Sequence, residues 1–332
     1  MVTCAPGEGN RSHARAARQR VLVLLLLLVA GWGCAGSQIE NRLIIIHAGS
    51  LTVPLRSIAR QYERENEGVR VLLEPAGSLA GARKITDLKQ EADVYLSADY
   101  AIIDHYLGPE YAKWHIKFAT NEMVIAYNEL ARASDHISAQ NWIDILLGDA
   151  VAYGRSDPNS DPSGYRTILA FKLAEAYYGR PGITSTLSEK DSEHIRPKSV
   201  ELLALLETGA IDYAFLYRSV AQQHGLEYLV LPPEINLKDA DLADLYASVS
   251  VKLPGKTPGQ TRTLHGEPIV FGLTIPSNAP NPELAVSFVA HFLDSERGLA
   301  TLDELGQPPM KPSSAYGYPN IPDELKMIVR KE

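Results

Sequence analysis

Four times in this chain a short apolar run ends in a turn of small residues, rich in serine and glycine, that opens a segment of helical period. The turns are Ile44-Ile-Ile-His-Ala-Gly-Ser-Leu-Thr52, Glu74-Pro-Ala-Gly-Ser-Leu-Ala80, Asp157-Pro-Asn-Ser-Asp-Pro-Ser-Gly-Tyr-Arg166 and Pro197-Lys-Ser-Val-Glu201. Strand, tight turn and helix in repetition specify α/β layers and argue against a helical bundle or a β-sandwich. A helix N-terminus carries unpaired backbone N–H groups and a partial positive charge, so each turn is a ready anion site. Serine adds a hydroxyl donor, and small residues let a ligand approach the backbone. One such turn means little, because Ser and Asp are common N-caps. Two before residue 80 and two after residue 150 put donors in both halves of the chain, as a cleft between two lobes requires.

The rest of the pattern agrees with α/β layers. Strands are expected over 43–47, 69–74, 93–97, 118–127, 151–154, 211–217, 228–231, 248–253 and 268–275. Leu55, Ile58, Ala59 and Tyr62 fall at i, i+3, i+4 and i+7, which predicts an amphipathic helix over Thr52–Glu65. Tyr165, Leu169, Leu173 and Ala176 trace a second stripe over 163–178, and Leu202, Leu205 and Leu206 a third that Gly209 ends. Segment 252–263, with Gly, Thr and Pro, reads as an exposed hairpin.

The chain starts with an address. Arg11, Arg15, Arg18 and Arg20 precede the apolar run 21–30 and then Gly31-Trp-Gly-Cys34, the order of a secretory signal. That run is shorter than the roughly 20 residues a spanning helix needs. Residues 1–37 are therefore expected to be signal peptide and tether, and the mature chain exported. Gly33-Cys34 followed by Ala35-Gly-Ser-Gln resembles a lipoprotein cleavage site with Cys34 as the lipidated residue; the other reading is an ordinary signal cut nearby. With two cysteines in all, a disulfide framework or a cysteine-built zinc site is excluded.

The net charge is −8 over 332 residues, and without residues 1–33 it is −11, from 28 basic against 39 acidic side chains. This disfavours nucleic acid as a partner. Neutral donors at helix starts reconcile an anionic ligand with an acidic protein. Catalytic readings have less behind them. Ser50 lacks the glycine two residues on that a nucleophile elbow requires, and His47, ending an apolar strand, reads as a packed histidine. No HExxH pair, GxxxxGK[ST] or GxGxxG occurs.

The set His47-Ala-Gly-Ser-Leu-Thr, Pro75-Ala-Gly-Ser78, Ala92-Asp-Val-Tyr-Leu-Ser-Ala-Asp-Tyr100, Pro158-Asn-Ser-Asp-Pro-Ser-Gly-Tyr-Arg166, Asp212-Tyr-Ala-Phe-Leu-Tyr217, Gln223-His-Gly-Leu and Glu267-Pro-Ile-Val-Phe-Gly-Leu-Thr-Ile-Pro276 resembles the tungstate/molybdate-binding proteins of ABC importers, in the branch best known from archaea. The resemblance runs from about Leu43 to Pro312. It implies an α/β type II periplasmic-binding-protein fold, two α/β lobes with a ligand cleft between them, the lobes being 41–120 plus 272–332 and 121–271. It implies an extracytoplasmic solute-binding protein, not an enzyme, that hands one oxoanion to a membrane permease with its ATPase, as a monomer and without a cofactor.

Carried over by position, the family's anion contacts fall on Gly49, Ser50, Ser78, Asp161, Pro162, Ser163 and Tyr217, with Asp161 approaching the tungsten or molybdenum itself. A second carboxylate that the resemblance implies falls on Ser199, a departure from the family pattern. Asp161 is open to three readings: metal ligand, proton acceptor for hydrogen phosphate, or a turn residue before Pro162. Ser199 is either a hydroxyl donor or the N-cap of helix 199–207, and Tyr217 either a donor or a packed strand end. Arg83, Lys84 and Arg166, one or two turns into their helices, are expected to be solvated. The alternatives for the whole chain are a phosphate or sulfate binder and an exported hydrolase using Ser50 or Ser163.

Overall fold

In the computed structural model, which describes residues 1–3 and 41–332, the strand and helix pattern resolves into two mixed sheets joined by two chain crossings. Cys34 and nearly all of the expected export segment lie outside the described residues. The first sheet has seven strands in the order β14-β13-β4-β12-β3-β1-β2. These are β1 (Asn41–Ala48), β2 (Val69–Ala76), β3 (Val94–Ser97), β4 (His115–Thr120), β12 (Val270–Thr274), β13 (Pro309–Tyr316) and β14 (Val329–Lys331). The second sheet has the order β7-β6-β8-β5-β9, with β5 (Met123–Tyr127), β6 (Tyr153–Ser156), β7 (Ile195–Arg196), β8 (Tyr213–Tyr217) and β9 (Glu227–Val230).

β1 pairs in parallel with β3, and β6 in parallel with both β7 and β8, so the two strands of the second sheet that end in serine turns, β6 and β7, run the same way. Helices cover the faces. α1 (Thr52–Glu65) buries Leu55, Ile58, Ala59 and Tyr62, the four positions that its sequence period selects. α2 (Ser78–Thr86) follows β2, α3 (Pro162–Tyr177) follows β6, and α4 (Leu202–Glu207) is followed by Gly209 at φ +67°, the left-handed position that favours glycine.

Two expectations need correction. Segment 118–127 is not one strand but two, β4 and β5, broken at Asn121-Glu122, where the chain passes from one sheet to the other. Both residues are buried and anchored. Asn121 donates to Ser219 Oγ at 2.8 Å, and the Glu122 carboxylate pairs with Arg218 at 3.1 Å and Lys238 at 3.4 Å. Pattern alone misses this because Met123–Tyr127 continues the apolar run on the other side of the break. Strands β7, β13 and β14 were also not expected, being short, polar or at sheet edges.

β10 (Ser250–Pro254) and β11 (Thr261–His265) form the expected hairpin, and it leans on the first lobe. Tyr106 donates to Pro254 O at 2.6 Å, and Arg83 to Gly255 O at 3.3 Å. Residues 42–332 pack as one compact unit, so the two lobes are shut on each other. Among the described residues no helix is long and apolar enough to cross a membrane.

Candidate oxoanion site

The four serine turns meet. Turn one touches turn four: a Cβ built on Gly49 would lie 3.1 Å from Val200 Cγ2. Turn four touches turn three: the Ser199 N–H donates to Asp161 Oδ2 at 2.8 Å. Turn three touches turn two, since Ser160 O accepts the Leu79 and Ala80 N–H groups at 3.1 and 3.3 Å. Turns one and two belong to the seven-stranded lobe and turns three and four to the five-stranded lobe. This chain of contacts therefore crosses the cleft twice.

Each side chain is placed by its local sequence. Asp161 is the N-cap of α3, its Oδ1 accepting from Ser163 N at 3.3 Å, and Pro162 fills the first helical position, where a missing N–H costs nothing. Both Asp161 oxygens thus accept backbone N–H groups, one from each turn of its lobe. Burial pushes the Asp161 carboxyl above its usual range, while the Ser199 and Ser163 N–H groups pull it back toward the anion. The Ser156 hydroxyl lies close to the same carboxyl without a hydrogen bond of ordinary geometry. Ser199 is buried and is the first residue of a single 3-10 turn, Ser199–Glu201, whose N-cap is Lys198, so it is not the helix N-cap that one reading expected.

Ser50 and Ser163 come one from each lobe, and both hydroxyls are buried with no protein partner among the described residues. A buried hydroxyl left unpaired costs about 1–3 kcal/mol, so two in one cleft mark a place where a ligand supplies the acceptors. Ser78, the first residue of α2, accepts from Ala98 N at 3.0 Å. Tyr217 ends β8, is fully buried, and accepts from Arg166 Nη1 at 2.8 Å.

Arg166 is not solvated, contrary to the sequence expectation. It is 1% exposed; Nη1 also donates to Ala98 O at 2.6 Å, and Nη2 lies 3.3 Å from Asp99 Oδ2. Tyr165 donates to the same Asp99 oxygen. This Arg166–Asp99–Tyr165 cluster joins the lobes directly behind the serine turns. Sequence reading missed it because position alone suggests a solvent face, whereas the first three turns of α3 are buried nearly all round. A charged residue in a segment that apolar is itself the signal, since buried charges are paired.

His47 is packed as expected, with Nδ1 against Ala48 O at 2.8 Å; burial lowers its pKa to about 4. Behind the cluster, Glu267 is held by Tyr100 at 3.0 Å, and burial, helped by the Asp99 charge, raises its pKa to about 7. Arg166 and Lys117 oppose that shift. A raised folded pKa favours the protonated acid, so its stabilising effect is complete below about 4.5 and is lost as pH rises through about 7. Glu267→Gln is therefore expected to raise the melting temperature over the parent at pH 8 and to match it at pH 5, compared by thermal unfolding at each pH. His47 titrates in both proteins alike and cancels from the comparison. Equal shifts at both pH values would show that Glu267 does not ionise in this range.

Comparison with known proteins places the geometry. Residues 43–306 match the family of bacterial extracellular solute-binding proteins. A solute-binding protein of Petrotoga mobilis is 43% identical over 308 residues, covering 92% of this chain and 96% of the relative. The molybdate/tungstate-binding protein WtpA of Thermococcus kodakarensis is 40% identical over 342 residues, covering 92% and 94%. Among solved structures, the periplasmic molybdate-binding protein of Azotobacter vinelandii shares the fold at TM-score 0.57 and 16% identity, covering 80% of this chain and 98% of that one. The sulfate-binding protein SubI of Mycobacterium tuberculosis does so at TM-score 0.57 and 14% identity, covering 82% and 88%. The two-lobed α/β fold, shut around unpartnered donors, and the match over most of the chain agree: this chain belongs to the bacterial extracellular solute-binding protein family.

Proposed function

We propose that the protein captures tungstate or molybdate outside the cytoplasm and delivers it to an ABC transporter permease, binding and releasing the anion without turnover. The observation that carries the reading is the meeting of four helix starts from two lobes, two of which bring the buried, unpaired hydroxyls of Ser50 and Ser163. Relatives at about 40% identity that are named for molybdate and tungstate supply the ligand class. Gly49, Ser50, Ser78, Ser163, Ser199 and Tyr217 would hold the oxygens, with Pro162 setting the turn and the Asp161 carboxylate directed at the metal centre of the bound anion. The oxoanion is cargo, and no resident cofactor is needed. The lobes 41–120 plus 272–332 and 121–271 act as jaws, with residues 1–37 as export signal and tether and Cys34 as the point of lipid attachment on a monomer.

The arrangement also speaks against hydrolysis. Among the described residues neither the Ser50 nor the Ser163 hydroxyl is hydrogen-bonded to a base, and His47 Nδ1 is held against the Ala48 carbonyl. Discrimination against smaller anions follows from buried donors that a short anion leaves unpaired. Calorimetric titration of residues 38–332 with tungstate, molybdate, sulfate and phosphate tests this reading. Tight one-to-one binding of the first two, with the others silent, is expected. Preference for sulfate or phosphate, or no binding, overturns the ligand assignment.

A further inference from the structure

We propose that Arg166 is a specificity-determining residue: by donating to Tyr217 it commits that hydroxyl to donation and turns the site against oxoanions that carry a proton. The inference rests on the reading above that Tyr217 faces the oxoanion.

A guanidinium has five donors and no acceptor. At the 2.8 Å contact between Arg166 Nη1 and Tyr217 Oη, the phenol oxygen must therefore be the acceptor. Its own proton then points elsewhere, and among the described residues this hydroxyl donates to no protein group. Ser78 is constrained in the same way, because a backbone N–H also cannot accept: Ala98 N donates to Ser78 Oγ at 3.0 Å. The Ala98 backbone links the two, its N–H donating to Ser78 and its carbonyl accepting from Arg166 Nη1 at 2.6 Å. The backbone N–H of Ala98 and the side chain of Arg166 thus aim two hydroxyl protons, one from each lobe.

Arg166 cannot swing away from this task. Asp99 Oδ2 lies 3.3 Å from Nη2 and is held in turn by Tyr165, while Asp99 Oδ1 caps a short helix by accepting from Ala101 N at 2.9 Å. Tungstate and molybdate at neutral pH offer only acceptors and suit such a lining. Hydrogen phosphate must place an O–H against an acceptor. Tyr217 and Ser78 present protons instead, which leaves that O–H only the Asp161 lone pairs not already taken by the Ser163 and Ser199 N–H groups. Without Arg166, the Tyr217 hydroxyl is free to reverse and accept.

The test is titration of the full chain, at pH 7.5, with tungstate and with hydrogen phosphate. It compares the parent, Arg166→Met, Tyr217→Phe and the double variant. A neutral pair, Asp99→Asn with Arg166→Met, repeats the measurement without leaving a buried carboxylate unpaired. Arg166→Met, alone or in the neutral pair, is expected to narrow the tungstate-to-phosphate affinity ratio by about tenfold, a change that a purely structural role would not produce. In the Tyr217→Phe background the same change is expected to leave the ratio unaltered. If Tyr217→Phe weakens tungstate but the ratio survives loss of Arg166, or falls equally without the phenol, the proposal is wrong while the site reading stands. If Tyr217→Phe leaves tungstate binding untouched, the tyrosine does not face the ligand, and both fall.

Discussion

Asp161→Ala is expected to weaken tungstate binding at least 100-fold, about 2.7 kcal/mol, and to weaken any sulfate binding less. Two losses combine. The carboxylate joins turn three to turn four through Ser163 N and Ser199 N, so its removal frees both serines that the second lobe contributes. Loss of the cap alone costs about 1 kcal/mol of stability, and a buried N–H left unpaired at Ser199 about 1–3 kcal/mol more. Those costs are shared by every anion. A carboxylate that also meets the metal centre adds a loss confined to tungstate and molybdate, because a carboxylate facing sulfate only repels it. Titration with both anions separates the two contributions. Equal losses for tungstate and sulfate would remove Asp161 from the metal and leave it as the clamp between two turns.

The structure bears on the three readings of Asp161. It is more than a turn residue before Pro162, because its second oxygen reaches 38 positions along the chain to Ser199. Ser199 occupies the place where the resemblance implies a second carboxylate, and its backbone N–H serves the first. A glutamate there would bring a second negative charge beside a buried carboxyl. The chain has instead a serine, small and uncharged, whose backbone N–H stabilises the one charge that remains.

Much of this was legible in the sequence because turn chemistry is local. Asp161 caps its helix with its side chain, Ser78 and Ser199 are the first residues of α2 and of a 3-10 turn, and Ser50 lies within the 3-10 turn Gly49–Leu51, all close to where their residue types predict a helix start. Helix Thr52–Glu65 was readable to the residue, since a one-sided stripe fixes both period and burial. What was hidden is non-local. The break at Asn121-Glu122 depends on Ser219, Arg218 and Lys238, about 100 positions away. Arg166 could be placed only once Ala98 and Asp99 were known to sit across the cleft from α3. Edge strands such as β14 carry too few apolar residues to announce themselves.

Gly77→Ala is expected to separate closure from folding. Gly77 has φ −63° and ψ 142°, a backbone that any residue adopts, so its glycine is not there for the turn. Its reason is proximity: a Cβ would lie 2.3 Å from Ser160 O and 3.2 Å from Pro197 O, both backbone atoms of the opposite lobe. An added methyl meets nothing that close until the lobes shut, and then the clash falls on the carbonyl that accepts from Leu79 and Ala80. The variant should fold with unfolding stability within about 0.5 kcal/mol of the parent in the absence of ligand. It should bind tungstate at least about 100-fold more weakly, with the loss in the dissociation rate, and small-angle scattering should show no ligand-induced contraction. Gly164 is the control. Its Cβ would lie 2.4 Å from Ser156 O within the same lobe, so Gly164→Ala should lower stability whether or not ligand is present. If Gly77→Ala contracts on tungstate and binds as the parent does, the contact between Ser160 and the start of α2 is not part of the closed, ligand-holding state.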